Sequence, residues 1–170
     1  MYKSIPLFIV GAVVSAALAN SSDAAALHER VSGTNCAYGN GTSTGNLIAI
    51  GGAISNSSTS GAESVSCPVT DDDRFRKQDI ATLNIHGYNG GISISGQSAE
   101  VDASTCVQYY GSTGGACTTP VSTSGNGNYT LSPPLTYWTS SNYADFGYIR
   151  IKLPPKGTNA STVRGYYTAD

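Results

Sequence analysis

Charged residues are scarce in this 170-residue chain: Asp, Glu, Lys and Arg make up 12% of it, against a usual share of about 25%. Net charge is −2. The few Lys and Arg residues build no basic patch, which argues against a nucleic acid partner. Histidine is limited to His28 and His86, in unrelated contexts, and Cys-x-x-Cys does not occur, so the spacing of a structural zinc site is missing. The Gly-rich stretches lack the Lys-Ser/Thr that cradles a phosphate. Only Glu63 and Glu100 fall as glutamates within predicted strands, so the paired carboxylates of a glycoside hydrolase are hard to find. His86 lies on the polar face of a strand-like run, as a satisfied surface histidine would, with no nucleophile beside it in sequence. These absences point away from an enzyme. No stretch after residue 27 shows helical spacing, and none is apolar enough to cross a membrane.

What is present begins with export. Met1-Tyr2-Lys3-Ser4 carries one positive charge, Ile5 to Leu18 runs apolar without charge, and small residues follow in Ala17-Leu18-Ala19. This is the three-part pattern of a secretory signal peptide, cleaved after residue 19 or after Ala24-Ala25-Ala26. The apolar run is shorter than the about 20 residues of a membrane span. Residues 1–26 are thus expected to be removed, and 27–170 to form one secreted domain. A chain of that size hides roughly two-thirds of its unfolded surface, enough for a core.

Four cysteines remain: Cys36, Cys67, Cys106 and Cys117. An even count in an exported chain implies disulfides. Three pairings are possible, of which nearest-neighbour pairing, Cys36–Cys67 and Cys106–Cys117, is expected; chain-entropy arithmetic gives the first about 3.5–4 kcal/mol and the second about 3 kcal/mol.

Two-residue periodicity dominates the rest. Leu83 and Ile85 alternate with Thr82, Asn84 and His86; Asn89-Gly90 supplies a tight-turn signal; Ile92 and Ile94 then alternate with Ser93 and Ser95. This reads as a hairpin. Ile149, Ile151 and Leu153 alternate with Tyr148, Arg150 and Lys152 until Pro154-Pro155 stops the run. Further strands are expected at 46–54, 62–69, 100–110, 128–131 and 161–168, with 112–128 the most loop-like segment. About eight short strands with Gly- and Ser-rich turns predict an all-β fold, an antiparallel β-sandwich or jelly roll. Cys67 shares a strand face with Val65 and Val69 and should point inward. Cys106 is out of phase with Val101, Ala103 and Val107, which places its bridge at an edge.

Two clusters are candidate sites. Asp71-Asp72-Asp73 could hold a weakly bound Ca²⁺, a hard ion that takes oxygen ligands. The spacing is not that of an EF-hand, however, and Arg74, Arg76 and Lys77 follow at once, so a solvated turn is the competing reading. Tyr137-Trp138 with Tyr143 and Phe146 is the densest aromatic group and holds the only Trp. Its flat rings could stack on sugars, with Asn142 and Asp145 as hydrogen-bonding groups; core packing competes. Asn-x-Ser/Thr occurs at Asn20, Asn40, Asn56, Asn128 and Asn159, acceptors for glycosylation in a eukaryotic secretory pathway.

Gly33-Thr34-Asn35-Cys36, Ile54-Ser55-Asn56-Ser57-Ser58, Val65-Ser66-Cys67-Pro68-Val69 with Asp71-Asp72, and Leu153-Pro154-Pro155-Lys156 together resemble a set of small exported bacterial proteins of unknown function. The resemblance spans most of the mature chain on short motifs and implies export and a β-sandwich, with no activity or site residues. Such proteins carry a late cysteine two positions before Leu-Pro-Pro. Here Ile151 stands there and Cys117 is present instead, a departure that bears on the second disulfide.

The expectation is a non-enzymatic extracellular module, structural or adhesive, acting through self-association or a surface partner. A lectin-like glycan binder using Tyr137, Trp138 and Tyr143 is the alternative, and a small secreted hydrolase the third reading.

Overall fold

The computed structural model of the protein describes residues 27–38, 45–72, 75–94, 96–142 and 144–170. The expected signal peptide therefore lies outside the described residues. Two six-stranded antiparallel sheets pack face to face. In chain order the strands are β1 (His28–Ser32), β2 (Ala37–Tyr38), β3 (Leu47–Ile50), β4 (Ala53–Asn56), β5 (Glu63–Pro68), β6 (Thr82–Asn89), β7 (Asp102–Gln108), β8 (Gly115–Cys117), β9 (Val121–Ser122), β10 (Gly127–Leu131), β11 (Phe146–Leu153) and β12 (Ser161–Ala169). One sheet, here sheet A, runs β10-β6-β12-β4-β3, with β1 also on β12. Sheet B runs β2-β5-β11-β7-β8, with β9 also on β7.

Alternation decides what each strand buries. Val65 and Cys67 on β5, Ile149, Ile151 and Leu153 on β11, and Ala103 and Val107 on β7 meet Ile54, Leu83, Ile85, Leu131, Val163 and Tyr166 from sheet A. At about 25 cal/mol per Å² of apolar surface removed from water, this shared face is the main stabilising contribution. The all-β sandwich follows from the sequence, and so do both disulfides, Cys36–Cys67 and Cys106–Cys117. Cys67 points inward and is fully buried. Cys106 faces Cys117 across β7 and the outermost strand β8, as expected, yet it too is buried. An unforeseen helix also sends its Trp138 into the core against β7.

That helix, α1 (Thr136–Ser140), spans little more than one turn, too short to leave a periodic pattern. Three other expectations are corrected. Residues 46–54 are a hairpin rather than one strand: Gly51 and Gly52, at φ 59° and 83°, make the two-residue turn between β3 and β4, since two adjacent positive φ values match the strand twist. The Asn89-Gly90 hairpin does not form. The Asn89 side chain is buried instead, donating to Ala99 O (3.0 Å), Thr123 Oγ1 (2.9 Å) and Gly125 O (3.1 Å) and accepting from Gly91 N (3.0 Å). A side chain held in this way cannot turn the chain back on itself, and β6 pairs with β10 and β12. Segment 112–128 contains β8 and β9, whose two or three residues each are below the reach of alternation.

Asn56 plays the role of Asn89 at another corner: its Nδ2 donates to Gly61 O (2.9 Å), Leu153 O (3.2 Å) and Pro154 O (2.9 Å). Buried and committed to these bonds, it is not an accessible glycosylation acceptor in the folded chain.

Candidate binding surfaces

The aromatic cluster expected around residues 137–146 divides. Trp138 is 0% exposed and donates through Nε1–H to Cys106 O at 2.9 Å. Its indole fills the space between α1 and β7, so no sugar can stack on it; this corrects the expectation that placed Trp138 in a glycan site. Tyr137, the neighbouring helix residue, is exposed, and Tyr143 lies outside the described residues. The most exposed aromatics among the described residues here are Tyr110 (70%) and Phe146 (60%), with ring centroids 6.2 Å apart. Asp145 fixes the loop beneath them, accepting from Tyr110 N (3.0 Å) and Asn142 N (3.2 Å). Sequence reading weighed Phe146 but missed Tyr110, which is brought beside it by the pairing of β11 with β7.

The acidic cluster is also spent locally. Asp71 Oδ2 meets Lys77 Nζ at 3.0 Å and Asp71 Oδ1 accepts from Lys77 N at 3.1 Å. Asp72 Oδ1 accepts from Phe75 N at 2.8 Å. The Lys77 side chain is fully buried and also donates to Asn142 O at 3.1 Å. The ammonium thus neutralises Asp71, whose carboxylate stays partly exposed, and the pair ties this turn to the segment after α1. Asp73 lies outside the described residues. Among the described residues, no three His, Cys, Asp or Glu side chains group as metal ligands.

A third surface was not anticipated. On the outer face of sheet A, Val163 lies opposite Gly87 and Gly165 opposite His86, which leaves Arg164 as the extra residue of a bulge in β12. Bulges re-aim side chains: Val163 and Tyr166 both face the core although three positions apart, and Arg164 is exposed on the outside. Gly165 is demanded by close approach, since a Cβ there would lie 2.4 Å from Val31 O. Because Gly165 carries no side chain, a hollow of about 490 Å³ opens over it, lined by Arg30, His86, Arg164 and Tyr167 among others. A second hollow of about 340 Å³ shares His86 and Arg164 and reaches Asn128 and Thr130 on β10. The Arg30 guanidinium sits 5.9 Å from the Tyr167 ring centroid, and the His28 ring 6.0 Å from it. Arg164 Nη1 donates to Asn128 Oδ1 at 3.1 Å, and His86 Nδ1 and Thr130 Oγ1 are 3.1 Å apart. Beneath the hollow, burial pushes the Tyr166 phenol above its ordinary value of 10.0, with the Glu29 charge adding to the rise. The Tyr129 phenol is raised by burial too, against a lowering by Arg164, and donates to Thr162 O at 2.8 Å.

The fourth surface is an edge. In the strand order of the described residues β3 neighbours β4 alone, carries the uncharged sequence Leu47-Ile48-Ala49-Ile50, and exposes Ile48 (41%) and Ile50 (69%).

One Gly-x-Ser-x-Gly run is present, Gly41-Thr42-Ser43-Thr44-Gly45. Residues 41–44 lie outside the described residues, and the element that follows is strand β3, where a hydrolase elbow would lead into a helix.

These features define a disulfide-linked antiparallel β-sandwich. No helix among the described residues is long and apolar enough to cross a membrane, and two disulfides in so small a fold fit an oxidising environment. No family model and no curated protein matches the chain.

Proposed function

We propose that this chain is exported and works outside the cytoplasm as a non-enzymatic structural or adhesive module that assembles through the open edge of sheet A. The observation that carries this reading is β3. An uncharged strand at the end of the described strand order, with two exposed isoleucines, is a template for another strand. Of the other flanks, β1 carries His28, Glu29 and Arg30, β2 and β8 are only two and three residues long, and β10 exposes no large apolar side chain. The signal-like N-terminus, the disulfides and the resemblance to small exported bacterial proteins support export.

Size-exclusion chromatography with light scattering over a range of concentrations tests the reading. Ordered oligomers that Ile50→Lys disperses are expected. A wild-type chain that stays monomeric throughout, or oligomers that Ile50→Lys leaves intact, would sink it.

A second reading, a glycan-binding module, is favoured by the exposed Tyr110–Phe146 pair. Tyr110→Ala and Phe146→Ala should each abolish signals on a neutral-glycan array, and an array blank with the wild-type chain removes that reading.

A further inference from the structure

We infer that the hollow over Gly165 on sheet A is a binding site for an anionic saccharide, one whose charge is a carboxylate or a sulfate. The inference rests neither on assembly through β3 nor on the Tyr110–Phe146 pair, because its residues come from β1, β6, β10 and β12.

Charge gives the sign of the ligand. Arg30 and Arg164 line the hollow, His86 joins them and His28 stands beside Tyr167, while no carboxylate among the described residues lines either hollow. In a chain of net charge −2 with nine Lys and Arg in all, two guanidinium groups at one hollow are a local reversal of sign. An open, shallow site with low-dielectric walls concentrates such a field.

Geometry then narrows the class. A guanidinium is a planar fork that matches the two oxygens of a carboxylate or sulfate. Both arginines are oriented before any ligand arrives, Arg30 over the Tyr167 ring and Arg164 by Asn128, so little side-chain freedom remains to be lost on binding. Asn128 and Thr130 add amide and hydroxyl groups of the kind that meet sugar hydroxyls. Tyr167 supplies a half-buried flat ring on which a sugar face can rest. A phosphate track is a poorer match. Two fixed cations are few for a polyphosphate backbone, and the next basic pair, Arg150 and Lys152, lies on β11 in the opposite sheet.

Calorimetric titration of the chain with four probes tests the site: oligogalacturonate, its methyl ester, a chondroitin sulfate oligosaccharide and a single-stranded oligonucleotide. At least one acidic saccharide should bind, and which one separates carboxylate from sulfate. The neutral ester should not bind, and rising salt should weaken the interaction. Arg30→Gln and Arg164→Gln should each reduce affinity by about tenfold or more, the loss of one charged hydrogen-bonded contact, with unchanged thermal melting. Phe146→Ala should bind as the wild type does. In the wild-type chain the amide resonances of Gly165 and Tyr167 should shift on titration, a readout that needs no variant. The inference is overturned if neither acidic saccharide binds, if the ester binds as well, if the arginine variants keep full affinity, or if the oligonucleotide binds more tightly than the saccharides.

Discussion

The two sheets of the sandwich treat their flanks differently. In sheet B each outer strand is tied covalently to its neighbour: Cys36–Cys67 joins the segment leading into β2 to β5, and Cys106–Cys117 joins β8 to β7. α1 then sends the buried indole of Trp138 into the core against β7. Sheet A has no covalent tie. Its flanks are β3 and β10, its outer face holds the bulge and the cationic hollow, and its edge strand β3 exposes two isoleucines. Strands too short to hold themselves by ladder hydrogen bonds, such as β2 and β8, need the sulfur links. A sheet whose central strand, β12, pairs along both sides does not, and so it can leave an edge and a face free for contacts.

This division predicts a graded set of responses. Trp138→Ala should cost most, about 3–5 kcal/mol, because it empties a buried site and leaves Cys106 O without its donor. A midpoint in a urea titration within about 1 kcal/mol of wild type would show that α1 does not hold sheet B. The double change Cys36→Ser with Cys67→Ser should cost about 3–4 kcal/mol for a separation of 31 residues, and Cys106→Ser with Cys117→Ser less, in keeping with a separation of 11. Equal losses in calorimetric melting would contradict the loop-length argument. Asn89→Ala should cost about 2–3 kcal/mol by leaving buried backbone groups unpaired.

Alkaline pH offers a probe confined to sheet A. Tyr129 and Tyr166 keep their protons to higher pH in the folded chain than the ordinary value of 10.0. Above that pH the unfolded chain loses these protons first, so the folded state binds more of them. Stability is therefore full below about pH 10 and falls as pH rises from there toward the raised values. Tyr129→Phe and Tyr166→Phe should each flatten the fall between pH 10 and pH 12, and denaturant midpoints that decline as steeply in both variants would refute it. Smallest in free energy is Ile50→Lys, expected within about 0.5 kcal/mol of wild type in melting because Ile50 is exposed; its effect should fall on assembly alone.

Much of the sandwich was legible because its signals are local. Alternation in 82–86 and 148–153 marks strands with one face inside, and Pro154-Pro155 marks the end of β11. The failed hairpin has a physical cause. Asn89-Gly90 has turn chemistry, but a buried asparagine satisfies distant backbone groups as readily as it makes a turn. The acidic run hid its partner in plain sight: Lys77 is six residues on from Asp71, and only folding brings its ammonium back under the turn.

The sequence by itself determined an all-β chain and the inward phase of its long strands, because hydrophobic alternation acts over short distances; of three possible cysteine pairings it favoured the one the fold adopts. Only the tertiary structure decided that Trp138 belongs to the core, that Tyr110 meets Phe146, and that Arg30, His86 and Arg164 gather over a glycine on one face. Those residues come from strands far apart in the chain, and cross-strand register, including one bulged residue at Arg164, sets which of them meet.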